Sequence, residues 1–138
     1  MVIAASHLVL ATEDVPRLRA FLQEIFGLKP HFQNKEFCEF VLASRFRIAL
    51  FKPTGPAAKH FSTAGNRGAS GVGLTVKDID AFYQNISPAL AKHGAQVSGP
   101  PKSHPWGEKS FLLTDPDGNR WEITQSPAAD GMLINRHG

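Results

Sequence analysis

Two segments of the 138-residue chain combine charged and apolar side chains in the alternation of a strand. They read RIALF from Arg47 to Phe51 and RWEIT from Arg120 to Thr124. Because successive side chains of a strand point to opposite faces, Arg47 and Phe51 share a face of the first strand. For the same reason Arg120, Glu122 and Thr124 share a face of the second. Guanidinium groups pair well with planar carboxylates and phosphates, so both faces favour a neutral or anionic ligand over a cationic one.

Composition excludes several other kinds of chemistry. The chain carries 15 Lys and Arg against 12 Asp and Glu, a net charge of +3, but the basic residues are scattered. No basic run, zinc-finger spacing or aromatic RNA-binding motif is present, so we expect no nucleic-acid partner. The longest apolar run spans five residues, far below the ~20 of a membrane helix, so we expect no membrane association.

The cysteine content points to the compartment. Cys38 is the single cysteine, so it cannot form an internal disulfide, and it belongs to no metal-binding motif. No Lys or Arg precedes Arg17, which leaves no basic region for a secretory signal. These features favour a reducing compartment, and we expect a cytoplasmic protein.

The elements that position the arginine-bearing strands begin with a strand and a helix. Residues 2–10 predict a strand, and Asp14 is expected to cap a helix whose apolar positions run from Val15 to Phe26. Gly27 ends that helix in the conformation that favours glycine. Three strands are predicted to follow, over residues 31–33, 36–43 and 45–52.

The same order then returns in the second half of the chain. Residues 53–70 are rich in Gly, Pro, Ser and Ala and predict a connector. Asp78 is expected to cap a second helix, which Ser87 and Pro88 interrupt and Gly94 closes. Strands are predicted over residues 71–76, 96–98, 108–114 and 120–125, with a DPDGN turn before the last one.

Fixed offsets between the halves indicate an internal repeat. The helix cap at Asp14 matches Asp78 at an offset of 64 residues, and Arg47 matches Arg120 at an offset of 73. The chain therefore predicts an α+β fold of two tandem βαβββ units. We assign unit one to residues 1–53, a linker to 54–69, unit two to 70–126 and a tail to 127–138, all within a single domain.

Three segments carry a resemblance to a known family. They are HLVLATEDVPRLRAFLQEIFGL (7–28), GVGLTVKDIDAF (71–82) and PWGEKSFLLTDPDGNRWEITQ (105–125). Together they resemble the vicinal oxygen chelate superfamily of glyoxalase I, extradiol dioxygenases, fosfomycin-resistance enzymes and bleomycin-resistance proteins. The resemblance covers the chain apart from the linker and the tail, and it implies a half-open barrel with a central cleft. It is specific for the fold rather than for one activity.

The resemblance also implies where a divalent metal would be held. The matching positions are His7, Ala49, Gly71 and Glu122, of which only His7 and Glu122 carry a ligand atom. Catalytic metals usually take three protein ligands, so a site here would need completion by His104, by His31 or by a partner chain. We therefore expect no stoichiometric metal, and we name His7 and Glu122 as the ligands if a metal is bound.

Three functions remain open at this point. The first is a metal-dependent lyase or dioxygenase of this superfamily. The second is a metal-free protein that binds a small molecule, as bleomycin-resistance proteins do, and the missing ligands at Ala49 and Gly71 favour it. The third is metal-free acid–base catalysis by His7 and Glu122. Bleomycin-like drugs are cationic and suit a basic protein badly, so we favour binding of a neutral or anionic molecule.

The resemblance and the strand alternation together predict the walls of the cleft. Arg47, Arg120 and Thr124 are expected to contact ligand, and Phe51 is expected to provide an aromatic wall. Arg45 either adds a guanidinium or is solvated at the strand end. Trp106 either stacks on an aromatic ligand or packs at the mouth of the barrel. Because each unit leaves sheet edges and apolar faces to cover, we also expect a homodimer.

Overall fold

The computed structural model describes residues 1–125 and confirms the predicted α+β class, with two sheets that do not close. The first half contains β1 (His7–Ala11), α1 (Val15–Phe26), β2 (Pro30–Gln33), β3 (Phe37–Val41) and β4 (Arg47–Phe51). The second contains β5 (Gly71–Thr75), α2 (Ile79–Ile86), β6 (Gln96–Val97), β7 (Lys102–Ser103), β8 (Lys109–Thr114) and β9 (Arg120–Gln125). The predicted tail, 127–138, lies outside the described residues.

Contacts between residues divide the chain into two units. The first unit comprises Met1–Gly65 together with Pro116–Gly118, and the described part of the second comprises Asn66–Asp115 and residues 119–125. The three central residues of the DPDGN turn, Pro116–Gly118, group with the first unit, and its end residues, Asp115 and Asn119, group with the second. In the first unit, Arg17 of α1 forms an ion pair with Asp117 of this turn at 2.5 Å.

The first unit is a four-stranded sheet with α1 packed on one face. Its strand order is β1-β4-β3-β2, with β1 parallel to β4 and the other pairs antiparallel. The Asp14 carboxylate accepts a hydrogen bond from the Arg17 amide at 3.0 Å, and Gly27 adopts a left-handed φ of 66°, so both predicted helix ends are confirmed. Ile48 and Leu50 are fully buried, as the alternation of β4 predicts.

The lone cysteine belongs to the core of this unit. Cys38 is fully buried on β3, and burial raises the pKa of its thiol, with the positive charge of Arg19 acting in the opposite direction. A thiol held in its neutral form is a poor nucleophile and a poor metal ligand. Cys38 therefore serves packing.

The second unit repeats the same arrangement. Its sheet order is β5-β9-β8-β6, with β5 parallel to β9 and with the short β7 added against β8. Asp78 accepts a hydrogen bond from the Ala81 amide at 3.0 Å and begins α2. The predicted break at Ser87 and Pro88 is confirmed, because α2 ends at Ile86 and two short 3₁₀ segments, Ser87–Ala89 and Ala91–His93, continue to Gly94.

Two predicted strands require correction, and one short strand was missed. The first strand begins at His7 rather than at residue 2, since its pairing with β4 starts with His7 opposite Arg47. Arg45 lies outside β4, because it occupies a tight turn with φ of 75° in which its amide donates to the Leu42 carbonyl at 2.8 Å. Its guanidinium is consequently not part of the arginine-bearing strand face. The strand β7 was not predicted, because two residues are too few to show alternation.

Within residues 1–125, no helix has the length and apolar character that crossing a bilayer requires.

Candidate functional site

The open face of the second sheet carries three rows of residues, which are small or polar except for Leu112. The register places Gly71, Arg120 and Thr114 in one row, Gly73, Glu122 and Leu112 in the next, and Thr75, Thr124 and Ser110 in the third. Side chains on the opposite face are buried, with Trp121 and Ile123 fully inaccessible beneath α2. The alternation predicted for the RWEIT segment is therefore confirmed.

A pocket of about 430 Å³ opens on this face. Its lining residues are Gly68, Ser70, Gly71, Gly73, Leu112, Arg120 and Glu122. This volume falls within the range of pockets that hold small molecules. The two glycines of β5 leave space beside the charged strand, because a side chain at either position would stand over the sheet between β5 and β9.

Arg120 is held in the pocket by two elements. Its Nη1 donates a hydrogen bond to Thr114 Oγ1 at 2.9 Å, across the β8–β9 pair. On the other side its guanidinium lies beside Gly68, where a Cβ would sit 3.7 Å from Nε. No carboxylate among residues 1–125 forms an ion pair with Arg120, so its charge is balanced by no anionic partner there.

The loop before β5 is tied to β9 by one amide side chain. Asn66 Oδ1 accepts hydrogen bonds from the amides of Gly68 at 2.9 Å and of Arg120 at 3.2 Å. The Asn66 amide in turn donates to Asn119 Oδ1 at 3.0 Å. The sequence predicts only a connector here. It does not show that Gly68 and Ser70 line the pocket, or that Thr114 accepts a hydrogen bond from Arg120.

Glu122 and Thr124 follow Arg120 along the same face. Glu122 is exposed, and among the described residues its carboxylate forms no ion pair or side-chain hydrogen bond. Thr124 is buried, and its hydroxyl lies 3.2 Å from that of Thr75. Thr124 is therefore part of the packing between β5 and β9 rather than a lining residue of the pocket.

The open face of the first sheet has a different charge arrangement. Arg47 Nη1 donates a hydrogen bond to Glu39 Oε2 at 3.2 Å, and His31 Nε2 lies 3.9 Å from the other oxygen of Glu39. Arg47 Nη2 also lies 3.5 Å from His7 Nδ1, which is hydrogen-bonded to Ser6 Oγ at 2.7 Å. Glu39 was not predicted as a site residue, although alternation with buried Cys38 and Phe40 places it on this face.

The two predicted aromatic residues lie in different units. Phe51 is half-buried in the first unit and packs edge-on against Phe61, with ring centroids 4.9 Å apart. In the second unit the Trp106 indole is 71% exposed and stacks on His104 at 4.6 Å. His104 Nε2 in turn lies within hydrogen-bond distance, 2.8 Å, of Ser110 Oγ. Trp106 therefore presents an open aromatic face and is not a core residue.

Residues 4–123 match the family model of the glyoxalase/bleomycin resistance protein/dioxygenase superfamily. The chain belongs to this superfamily. The matched range covers both units, including β1 to β8 and the first residues of β9. Among curated proteins, no sequence matches the chain.

Solved structures of this superfamily share the fold at low sequence identity. A glyoxalase-related enzyme from Fulvimarina pelagi is 21% identical, with a TM-score of 0.75 over 92% of this chain and 91% of that one. A lactoylglutathione lyase from Agrobacterium tumefaciens is 19% identical, with a TM-score of 0.68 over 90% and 94%. A bleomycin-binding protein from Streptomyces verticillus, complexed with copper(II)-bleomycin, is 19% identical, with a TM-score of 0.65 over 91% and 98%.

The side chains of this superfamily member do not fit the metal site that its resemblance implies. Ala49 and Gly71 carry no donor atom at two of the four expected positions. The hydrogen-bonding neighbours of the His7 ring are Ser6 and Arg47, neither of which is a usual ligand of a divalent metal. Within residues 1–125, no three His, Cys, Asp or Glu side chains are grouped so that they could hold a metal ion.

Proposed function

We propose that this chain binds a small neutral or anionic molecule in the pocket on the open face of the second sheet, without a resident metal. The observation that carries the proposal is the Arg120 guanidinium, which lines the pocket and has no carboxylate partner among the described residues. An arginine that is held in place but not neutralised is well suited to a carboxylate, a phosphate or a polarised carbonyl oxygen.

The corresponding arginine of the first sheet is less suited to bind an anion, which supports the choice of the second sheet as the site. Arg47 occupies the position equivalent to Arg120, but its charge is balanced by Glu39 at 3.2 Å. An anionic ligand at Arg47 would have to break or share that ion pair and approach a second negative charge. We therefore assign the ligand contact to Arg120 rather than to Arg47.

The superfamily relationship supports binding of a small molecule in general terms. The structurally similar protein from Streptomyces verticillus holds copper(II)-bleomycin. The chain's charge of +3, and the lack of a carboxylate partner for Arg120 among residues 1–125, favour a ligand of the opposite sign. The exposed face of Trp106 adds a surface on which a flat ligand group can stack, and we assign it an auxiliary role.

The test is a thermal-shift screen of acidic, neutral and cationic compounds, followed by affinity measurements on variants. We expect acidic compounds to raise the melting temperature of the wild-type chain. Arg120→Gln should weaken their binding by about tenfold or more, because it removes a charge-assisted hydrogen bond. Arg45→Gln is the matched control, since Arg45 is exposed in a turn of the first unit.

Two outcomes of this screen contradict the proposal. One is a set of hits that contains only cationic compounds. The other is equal binding of acidic hits by the Arg120→Gln and Arg45→Gln variants.

We also propose that the chain forms a homodimer. Its support is the exposed apolar surface at Met1, Val2 and Ile3, each at least 84% accessible, and at Phe32 on the edge strand β2. Exposed apolar segments beside open sheet edges commonly mark association surfaces.

A further inference from the structure

Two opposite charges line the pocket of the second sheet without neutralising each other. Arg120 and Glu122 are two residues apart on β9, so their side chains leave the same face of the sheet. Their charged atoms are more than the 4.0 Å of an ion pair apart, and Arg120 Nη1 instead donates to the neutral Thr114 hydroxyl. The pocket therefore has a positive and a negative end.

In the first sheet, by contrast, the equivalent arginine forms an ion pair with a carboxylate. At the equivalent arginine, Arg47, the carboxylate of Glu39 is on the neighbouring strand and forms an internal ion pair at 3.2 Å. In the second sheet the residue equivalent to Glu39 is Leu112, which pairs with Glu122 in the register. Replacing the cross-strand carboxylate by leucine leaves Arg120 and Glu122 available to a ligand.

A ligand whose only charged group is an acid can pair with Arg120 but not with Glu122. Its acid group would pair with Arg120 but would also lie near the carboxylate of Glu122, which it cannot satisfy. Successive residues on one strand face are separated by about 7 Å, so one small molecule can reach both charges. A ligand with an acid at one end and an ammonium or hydroxyl donor at the other satisfies both groups.

The surroundings of Glu122 leave room for an aliphatic body between those two ends. On the β5 side is Gly73, where a Cβ would meet no atom within 4 Å, so this side of the pocket is open. On the β8 side is Leu112, which is 43% exposed and provides an apolar contact. A short aliphatic chain can therefore lie along β9 between its two charged groups.

We propose that the pocket recognises a dipolar ligand of the ω-amino acid or hydroxy acid class, with its acid on Arg120 and its donor on Glu122. This inference rests on the proposed function, because it assumes that the same pocket binds a small molecule through Arg120. It adds that Glu122 is a specificity-determining residue, which selects ligands carrying a donor opposite the acid.

The test compares matched probes by chemical-shift titration of the ¹⁵N-labelled full chain. The probes are 6-aminohexanoate, hexanoate and hexylamine, which share a six-carbon chain, together with 4-aminobutyrate and butyrate for a shorter spacing. We expect at least one amino acid to bind about five- to tenfold more tightly than its own parent acid, because it gains the contact with Glu122. Hexylamine should bind more weakly than 6-aminohexanoate.

Variants show which residue binds the acid of the probe and which binds its amine. Glu122→Gln should remove the advantage of the amino acid over its parent acid while leaving the acid bound at least as tightly as in the wild type. Arg120→Gln should weaken binding of both. Glu36→Gln, an exposed carboxylate of the first unit, is the matched control and should change neither. The amide spectra of the free variants establish that each is folded.

The outcomes separate this inference from the proposed function. If parent acids bind through Arg120 as tightly as both amino acids, the dipolar ligand is wrong and the anion pocket stands. If Glu122→Gln leaves the amino acid's advantage intact, Glu122 is not the specificity residue. If no acid binds in a manner that depends on Arg120, both proposals fail.

Discussion

Arg120 is effective in recognition only if its flexible side chain is held before the ligand arrives. The hydrogen bond from Nη1 to Thr114 Oγ1 at 2.9 Å provides that restraint, and it uses a neutral partner that leaves the positive charge uncompensated. Restraining a charged side chain in advance reduces the entropy lost when a ligand binds. Thr114 is thus a positioning residue for Arg120.

We predict that Thr114→Val weakens binding of acidic ligands by about two- to tenfold, the effect of losing one ordinary hydrogen bond. Thr114→Ser, which keeps the hydroxyl, should retain most of the affinity. Titration calorimetry with an acidic hit measures the difference, and the melting temperature of the free variants checks the fold. Equal affinities for the valine and serine variants would show that Thr114 does not position Arg120.

Sequence alternation identified the charged faces of β4 and β9, but it did not show which of their arginines has a carboxylate partner. It placed Arg47 and Arg120 on equivalent faces, and the structure confirms that arrangement. The pairing of Arg47 with Glu39 depends on which residue of β3 lies opposite Ala49, and that register is set by the turn between β3 and β4. A single sequence does not specify that register, so the difference between the two arginines was not predicted.

At the scale of elements, the turn before β9 is fixed by a buried polar network. Asp115 Oδ2 accepts hydrogen bonds from the Trp121 indole at 3.0 Å and from Asn119 Nδ2 at 2.9 Å. Its other oxygen accepts the Asn119 amide at 2.9 Å. All three residues are buried. The network sets where β9 begins, and it therefore sets the position of Arg120, the first residue of that strand.

We predict that Asp115→Ala lowers the free energy of unfolding by about 2–5 kcal/mol, because it removes three hydrogen bonds that the buried Asp115 carboxylate accepts from Trp121 and Asn119. Urea denaturation followed by tryptophan fluorescence measures the loss. The matched control is Asp80→Ala, whose ion pair with Lys109 is at the surface and should contribute no more than about 1 kcal/mol. A loss from Asp115→Ala as small as that of the control would contradict the role of the network.

Local sequence patterns predicted most of the helices and strands. The start of the first strand was not predicted, because it depends on pairing with another strand. Both helices begin after a capping aspartate, α1 ends at Gly27, and α2 ends at the predicted break at Ser87 and Pro88, so the helix ends were predicted to within a residue or two. The strand predicted from residue 2 was too long because apolar composition alone does not provide a pairing partner. The structure pairs only His7–Ala11 with β4. Bounds marked by side-chain chemistry, such as helix caps, were thus predictable, whereas bounds that depend on strand pairing, such as the start of β1, were not.

At the scale of the whole molecule, the repeat is preserved in the sheet register. His7 pairs with Arg47 as Gly71 pairs with Arg120, which reproduces the offsets of 64 and 73 residues found in the sequence. Equivalent positions therefore carry differently paired arginines: Arg47 forms an ion pair with Glu39, whereas Arg120 has no carboxylate partner among residues 1–125. If the proposed function is correct, one position of the repeated scaffold serves an internal ion pair and the equivalent position serves ligand binding.

The last prediction concerns association of whole chains. Met1, Val2 and Ile3 are almost fully accessible and precede the edge strand β1, so the chain exposes apolar surface beside unpaired backbone groups. We predict that light scattering at micromolar concentration gives twice the chain mass of 15.0 kDa. Burying an apolar side chain of this size stabilises an interface by about 1.5–3 kcal/mol, so replacing Val2 and Ile3 by serine should weaken the dimer markedly. Lys59→Ser with Lys77→Ser, two exposed polar positions, should leave it intact. A monomer at all concentrations would refute the dimer, and an unaffected serine variant would refute the role of the N-terminal segment.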